Sequence, residues 1–451
     1  MKIIVIGCGK IGKTIIEHVS KEGHSLVIVD NNREKVEELI ERYDVMGVVG
    51  NGASLDIQEE AGVKSADLVI AVTPEDEINI LASMVAKKLG ASSTIARVRN
   101  PEYLRQTKLM QEELGLSMVV NPEQETADEI INMVNLPSLL KLEPFAKGKV
   151  NLVEILVEEN NPLIGETLIT MSKKIKTKVL ICAIQRASHV IIPNGNFKIE
   201  QGDRLSITAN ASSLVTFLKE LNLIKSPLKN IMIIGGGKIS YYLAKELSNK
   251  KYHIKLIEMN KNRAEEMAEA LPKVDVICGD GTDHDLLIEE GIEASDACIA
   301  LTNVDEENII VSMYATRLKI KKVIAKIKRN SFLTMVNDLG IASIVSPKDI
   351  VASKIISYIR ALSNKRGSNV LTLYKLVNNQ VEALEFDAKK KEKFYNKPLQ
   401  DLNIKENCLI ACIIRDGNVL IPSGNDCIQL NDRVLVVTTH QQFDDLMDAF
   451  E

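Results

Sequence analysis

One segment of this chain is written twice, and that repetition limits its fold more than any single motif does. Residues 3–12, IIVIGCGKIG, align with residues 231–240, IMIIGGGKIS, at an offset of 235 − 7 = 228 that holds through Asp30 against Glu258. One inserted residue later, GNGASLD (50–56) meets GDGTDHD (279–285), and SADLVIAVTPEDEINI (65–80) meets ASDACIALTNVDEENI (294–309). IARVRN (95–100) then meets IAKIKR (324–329), and ELGLSMVVNP (113–122) meets DLGIASIVSP (338–347). A unit of about 120 residues is too long for a solenoid repeat and right for a domain. The stretches between also match, VLICAIQRASHVIIPNGNFKIEQGDRLSI (179–207) with CLIACIIRDGNVLIPSGNDCIQLNDRVLV (408–436). Both are β-branched runs broken by Asn-Gly, Asp-Gly and Gly-Asp, the pattern of hairpins. The 451 residues therefore alternate large, small, large, small, with joints expected at Lys225-Ser226-Pro227 and over Ser363–Ser368.

In the first large unit, Lys2–Ile6, Leu26–Val29, Val45–Val49, Leu68–Val72 and Thr94–Val98 are short and almost wholly apolar. Strands covered on both faces read this way. Amphipathic segments such as Glu77–Leu89 lie between them. The fold class is α/β: two Rossmann-like doubly wound parallel-sheet domains with right-handed crossovers, each followed by a small α+β hairpin-rich domain. The divisions are residues 1–136, 143–223, 229–362 and 368–451. The segment Glu123–Val134, after Asn121-Pro122, has apolar helical spacing and is expected to cross over to a neighbouring domain or subunit.

Gly7-x-Gly9-x-x-Gly12 follows a strand and opens a helix. The first glycine permits the tight turn, the second admits a pyrophosphate, and the third lets helix and strand pack closely. Free N–H groups at the helix start face the anion. Asp30 ends the second strand about 20 residues on, where a carboxylate accepts from ribose hydroxyls and repels a 2′-phosphate. That favours NAD over NADP. The second copy reads Gly235-Gly236-Gly237 with Glu258 in the acidic position, but Ser240 replaces the third glycine.

Gly7–Thr14 also fits the P-loop expression, in which Lys13 would reach phosphates and Thr14 would hold a metal. The repeat argues against it, because the second copy has Tyr241 and Tyr242 there. Thr73 and Thr302 end the fourth strand of each copy, the edge at which open α/β sheets bind ligands. The acids after them, Asp76 and Asp305, read equally well as helix-dipole partners. Arg97 and Arg99, matched by Lys326 and Lys328, call for an anion in a buried strand, and a nucleotide phosphate is the economical choice.

What is missing narrows the function. A net charge of −5, with basic clusters interrupted by apolar or acidic residues, argues against nucleic acid. No run reaches the ~18 apolar residues of a membrane span, and Lys10 interrupts the N-terminal apolar stretch too early for a signal peptide. Seven cysteines without Cys-x-x-Cys spacing read as buried, reduced thiols of a cytosolic protein rather than a metal or disulfide framework. The six histidines are scattered, and no catalytic triad or His–carboxylate set falls near the strand ends. No catalytic or metal-ligating residue is assigned.

The start MKIIVIGCGKIG with Asp30, the turns GNGAS and GDGTD, the runs AVTPEDEIN and ALTNVDEEN, IARVR, and the endings GDRLSI and NDRVLV together resemble the TrkA family. These are peripheral subunits of Trk-type potassium uptake systems with two tandem RCK modules, regulators of potassium conductance. The resemblance spans essentially the whole chain. It implies a cytoplasmic homo-oligomer, a ring of RCK units that docks on a membrane-embedded potassium-conducting subunit without inserting into the bilayer. It further implies binding of NAD(H) and of ATP or ADP. Carried over, the first site is Gly7, Cys8, Gly9, Lys10, Ile11 and Gly12 with Asp30, Thr73, Pro74 and Arg97. The second is Gly235, Gly236, Gly237, Lys238 and Ile239 with Glu258, Thr302, Asn303 and Lys326. Pro74 stands where the second copy has Asn303. The competing readings are an NAD-dependent dehydrogenase, which would need a larger substrate domain, and a nucleotide sensor with a non-channel partner. Two uses stand open for the small domains, with their turns Pro193-x-Gly195 and Pro422-x-Gly424: a site for a small effector or a dimerisation surface, of which dimerisation is favoured.

Overall fold

A computed structural model describes the chain apart from residues 136–138, 146–149, 188, 222, 224–227, 251, 333, 334, 337, 338, 340, 342, 365–369, 377–380, 390, 391, 393, 440–442 and 444. The joint at Lys225-Ser226-Pro227 and most of the Ser363–Ser368 stretch lie outside the described residues.

The first large domain runs β1 (Lys2–Ile6), α1 (Lys10–Val19), β2 (Ser25–Asp30), α2 (Arg33–Arg42), β3 (Met46–Val49), α3 (Leu55–Glu60), β4 (Leu68–Ala71), α4 (Asp76–Leu89) and β5 (Ser93–Arg97). Two short helices, α5 (Pro101–Leu104) and α6 (Thr107–Glu112), lead to β6 (Met118–Val120) and α7 (Pro122–Asn135). Its sheet has the order β3-β2-β1-β4-β5-β6, with all neighbours parallel. Each expected strand forms within a residue or two, and β6 is an addition hidden in the run that closes the repeat. Ile3, Ile4, Val5, Leu68, Val69 and Ile70 are fully buried, because helices cover both faces. Strand order reverses between β1 and β4, which opens a crevice at their carboxyl ends.

The small domain that follows has β7 (Leu139–Phe145), β8 (Val150–Leu156), α8 (Leu168–Lys174), β9 (Leu180–Arg186), β10 (His189–Ile191), β11 (Arg204–Asn210) and α9 (Ala211–Glu220). Its antiparallel sheet has the order β10-β9-β11-β8-β7. The second large domain repeats the first: β12 (Asn230–Ile234), α10 (Lys238–Ser248), β13 (His253–Glu258), α11 (Lys261–Ala270), β14 (Asp275–Cys278), α12 (His284–Glu289), β15 (Ala297–Ala300), α13 (Asp305–Arg317), β16 (Lys322–Lys326) and β17 (Ser343–Val345). Its sheet order is β14-β13-β12-β15-β16-β17, and the helix Pro347–Asn364 follows. The last small domain forms β18 (Val370–Leu376), β19 (Val381–Asp387), β20 (Cys408–Arg415), β21 (Asn418–Leu420) and β22 (Arg433–Thr438) in the order β18-β19-β22-β20-β21. The α/β fold class with two Rossmann-like parallel sheets, each followed by a small antiparallel domain, is the observed architecture.

Spatial contacts divide the chain into two units. One holds Met1–Asp128, Lys326–Lys328 and Val345–Ile359; the other holds Glu129–Ala325, Arg329–Ile344 and Arg360–Glu451. In the first unit Lys354 pairs with Glu125, and the Ile327 amide donates to the Val345 carbonyl at 3.0 Å. The segment expected to cross over is α7, whose end from Glu129 belongs to the second unit. There the Tyr252 hydroxyl donates to Asn135 at 3.2 Å.

The second unit also holds both small domains. Val150, Leu152, Cys182 and Ala183 of one sheet share an apolar cluster with Val381, Ala383, Ala411, Cys412 and Leu435 of the other. The two small sheets thus meet within one chain. Each small domain is pinned alike: Arg186 grips the fully buried Asp203 at 2.8 and 2.9 Å, and Arg415 grips Asp432 at 2.9 and 2.8 Å. Such two-point guanidinium–carboxylate pairs fix geometry as well as charge.

All seven cysteines are free. Cys8, Cys182, Cys298 and Cys412 are buried thiols, each pushed up to about 12 first by desolvation. Cys278 is exposed and Cys427 half-buried, which corrects the expectation that every thiol is buried. Both lie beside turns, where an apolar flank does not guarantee cover. Among the described residues no helix is long and apolar enough to cross a membrane, and no cluster of His, Cys, Asp or Glu could hold a metal.

Candidate functional site

The turn from β1 to α1 is built by three glycines with three different duties. Gly7 has φ +100°, and its amide donates to the Val29 carbonyl at 2.8 Å, tying the turn to β2. A Cβ on Gly7 would lie 2.8 Å from the Thr73 amide nitrogen, so the backbone leaving β4 shuts that side. Gly9 caps α1 with no side-chain bond, and a Cβ there would meet nothing within 4 Å. That open side lies at the N-terminal end of α1, where the first backbone N–H groups of a helix have no intrahelical acceptor. A Cβ on Gly12 would lie 1.9 Å from the Gly7 carbonyl oxygen.

Asp30 finishes β2 beside this turn. Its Oδ2 accepts the Cys8 N–H at 2.6 Å and its Oδ1 accepts the Asn32 N–H at 2.9 Å. A carboxylate has about four acceptor positions, so two remain for a diol. The carboxylate also helps raise the Cys8 thiol, after burial. A thiol held near 12 stays protonated at neutral pH and is no nucleophile.

The second copy reproduces the arrangement with a longer acid. Gly235 has φ +96° and donates to the Ile257 carbonyl at 2.8 Å. Glu258 Oε2 accepts the Gly236 N–H at 2.5 Å, and Oε1 accepts the Asn260 N–H at 2.8 Å. Gly237 caps α10 and, like Gly9, faces open space. Ser240 is fully buried and its hydroxyl donates to the Gly235 carbonyl, so the second loop tolerates a side chain by bonding to it. Lys10 and Lys238 are exposed at the helix starts, whereas Ile239 is buried and offers only backbone to a ligand.

Thr73 stands across the crevice, held by a residue that sequence reasoning missed. Fully buried Asn79 accepts from the Thr73 amide at 2.7 Å and hydroxyl at 2.8 Å, and donates to the carbonyls of Thr73 and Arg97, each at 3.0 Å. Asn308 serves Thr302 in the same way, accepting its amide at 2.8 Å and donating to its carbonyl at 3.2 Å. The signal lay in the sequence: both asparagines occupy the same place in EDEIN and DEEN. Pro74 and Asn303 are exposed beside these threonines.

The guanidinium of Arg97 donates through Nη1 to the Thr73 carbonyl at 2.9 Å, while its buried Nε has no hydrogen-bond partner among the described residues. Burial, and then the neighbouring Arg99, lowers its pKa. Glu123 and Asp76 act on it in the opposite direction, stabilising the charged form. Arg99 differs from expectation, since Glu123 pairs with it at 2.5–2.6 Å and no phosphate is needed. Asp76 also turns inward, accepting the Arg99 and Asn100 amides at 2.8 and 2.7 Å. It anchors the exit of β5 rather than facing a ligand. Lys326 is buried at the end of β16 and belongs with the first unit.

Basic residues next to the acids were also overlooked. In the second copy Arg263 Nε donates to the Gly236 carbonyl at 2.7 Å, and Lys35 holds the matching place in the first. The P-loop alternative has no support in the geometry. Lys13 pairs with Glu38 at 2.5 Å on the helix surface, and the Thr14 hydroxyl donates back to the Lys10 carbonyl at 2.9 Å. Lys13→Ala should therefore change nucleotide affinity by less than about twofold, near 0.4 kcal/mol, in calorimetric titration. A hundredfold loss would restore the P-loop reading.

The arrangement sets an acid and an open helix start beside each glycine turn, and among the described residues it offers no proton-transfer set. Comparison with known proteins agrees with the repeat. The TrkA-N domain model matches residues 3–122 and 231–347, and the TrkA-C domain model matches 152–222 and 384–451. A Trk system potassium uptake protein TrkA of Vibrio alginolyticus is 33% identical over 98% of this chain and 97% of its own length. The homolog of Archaeoglobus fulgidus is 29% identical over the full length of both. Among solved structures, the GsuK channel bound to NAD superposes with a TM-score of 0.63 at 18% identity, covering 97% of this chain and 76% of that one. The GsuK RCK domain gives 0.62 at 19%, covering 97% and 92%. Full-length matches in a fixed order of four domains leave one assignment: this chain belongs to the TrkA family of Trk system potassium uptake proteins.

Proposed function

We propose that this protein is a regulatory subunit that docks on the cytoplasmic face of a membrane potassium-conducting partner and gates it according to the nucleotide bound at its glycine turns. The observation that carries the reading is the pairing, in both copies, of an acid held on the glycine turn with a helix start facing open space. An acid placed there accepts from a ribose, and the helix start accepts a pyrophosphate.

NAD(H) is the ligand proposed for the first site, through Gly7 to Gly12, Asp30, Thr73, Pro74 and Arg97. ATP or ADP suits either site, the second being Gly235 to Ile239, Glu258, Thr302 and Asn303. The GsuK structures described as bound to NAD and to ADP support these two ligand classes, and the relatives' naming supports a potassium-transporting partner. The working assembly is a ring of such chains, with domains divided at 1–136, 143–223, 229–362 and 368–451. Ligands bias the ring only through different affinities for two of its states.

Potassium flux through a reconstituted partner channel, with this protein added and NADH, NAD, ATP or ADP varied, tests the proposal. A ligand-dependent change is expected; identical flux under all four overturns it. At the level of one residue, Asp30→Ala should weaken NADH binding by about 1–3 kcal/mol, the worth of charge-assisted hydrogen bonds. Unchanged affinity in calorimetry removes the ribose assignment.

A further inference from the structure

The two small domains are an experiment carried out within one chain, because one keeps a cleft that the other fills. Their equivalence is fixed by backbone bonds. The Gly165 amide donates to the Ile199 carbonyl, the Asn396 amide donates to the Ile428 carbonyl, and both residues have positive φ. Two residues earlier stand Leu163 in the first domain and Phe394 in the second. At the other end, the offset 408 − 179 = 229 pairs Ile175 with Ile404 and Leu221 with Phe450.

In the second domain, Phe450 is extended, bridges Ile404 and stacks on Phe394 with ring centroids 4.4 Å apart. In the first, α9 stays helical through Glu220, and its cap Leu221 has φ −84° and ψ 0°. No phenyl ring enters. An open cleft of about 420 Å³ remains, floored by Leu163, Met171, Ile175 and Leu221. That volume lies in the range of small-molecule sites.

The mouth carries both signs. Lys174 pairs with Glu166 at 2.5 Å and holds its carboxyl below the usual range, and Lys176 and Glu220 lie on the same rim. Glu220 also accepts the Thr177 amide at 3.3 Å. Two ammonium groups and two carboxylates give a rim with no net charge. Such a rim offers no net attraction to the multiple negative charges of a nucleotide phosphate and complements a zwitterion.

We infer that the first small domain binds a small zwitterion bearing one aromatic or branched aliphatic group, the chemistry of a hydrophobic α-amino acid, in the place that Phe450 fills in the second. The site is separate from the glycine turns, and the inference does not depend on what they bind.

Calorimetric titration of the full-length protein with L-phenylalanine, L-tyrosine, L-leucine and L-isoleucine tests it, with L-glutamate and AMP as charged comparators. At least one apolar amino acid is expected to bind one per chain, at least tenfold more tightly than either comparator. Leu221→Phe places a ring in the cleft and should weaken that binding at least tenfold with circular dichroism unchanged. Lys176→Glu alters only the exposed rim, so it cannot fail through misfolding of the core. It should weaken binding at least fivefold. No binding by any apolar amino acid, tighter binding of AMP, or undiminished affinity in both variants overturns the inference.

Discussion

Gly9→Val is expected to abolish measurable NADH binding at the first glycine turn, a loss of at least a hundredfold or about 2.7 kcal/mol, while leaving the fold intact. The two halves of this expectation have separate causes. Gly9 sits at the start of α1 with no neighbour within 4 Å of its Cβ position, so the protein itself has room for an isopropyl group. The same open space is where a pyrophosphate would meet the free amides of the first helical turn, and branched carbon there excludes it. Titration calorimetry paired with circular dichroism reads both halves. Wild-type affinity in a folded Gly9→Val protein rejects the geometry, and a collapse of structure contradicts the open space seen at Gly9.

Gly12→Val should do the reverse, destabilising the first sheet by about 3 kcal/mol, the upper part of the range for overpacked cores. A Cβ at this position falls 1.9 Å from the Gly7 carbonyl oxygen, and backbone cannot swing away as a side chain does. Ser240 shows the milder outcome, since its hydroxyl bonds to the equivalent carbonyl. Gly12→Ser is therefore expected to cost markedly less than Gly12→Val. Unfolding of a chain with several domains is not a two-state event, so the measurement is hydrogen exchange at the β1 and β4 amides. Equal protection in Gly12→Val and wild type would show that the third glycine has no packing duty.

Much of this was legible in the sequence because it depends on local rules. Strands buried on both faces are short apolar runs, so β1, β2, β4 and β5 emerge within a residue or two of their expected bounds. The glycine pattern fixes a turn because a residue at φ +100° with a strand pressed against it must lack a side chain. Asp30 and Glu258 were legible because strand ends alternate predictably and the turn's amides need acceptors. Asn79 and Asn308 were missed because asparagine within a helix has no local signature, and only the match between the two copies marks them. Their function exists only where α4 meets the ends of β4 and β5, and α13 the end of β15.

The sequence by itself determined the doubled α/β architecture, the two glycine turns and the acid beside each. All of these follow from periodicity and backbone sterics within a few dozen residues. Only the tertiary structure decided who partners whom. It gave Arg99 to Glu123, which a helix from beyond β6 supplies, and left the Arg97 Nε without an acceptor among the described residues. It also turned the two small sheets against each other through Val150, Cys182, Ala411 and Leu435. Residues so far apart in the chain meet through the burial of apolar surface. That force depends on the area removed from water and has no direction, so it leaves no local pattern in the sequence.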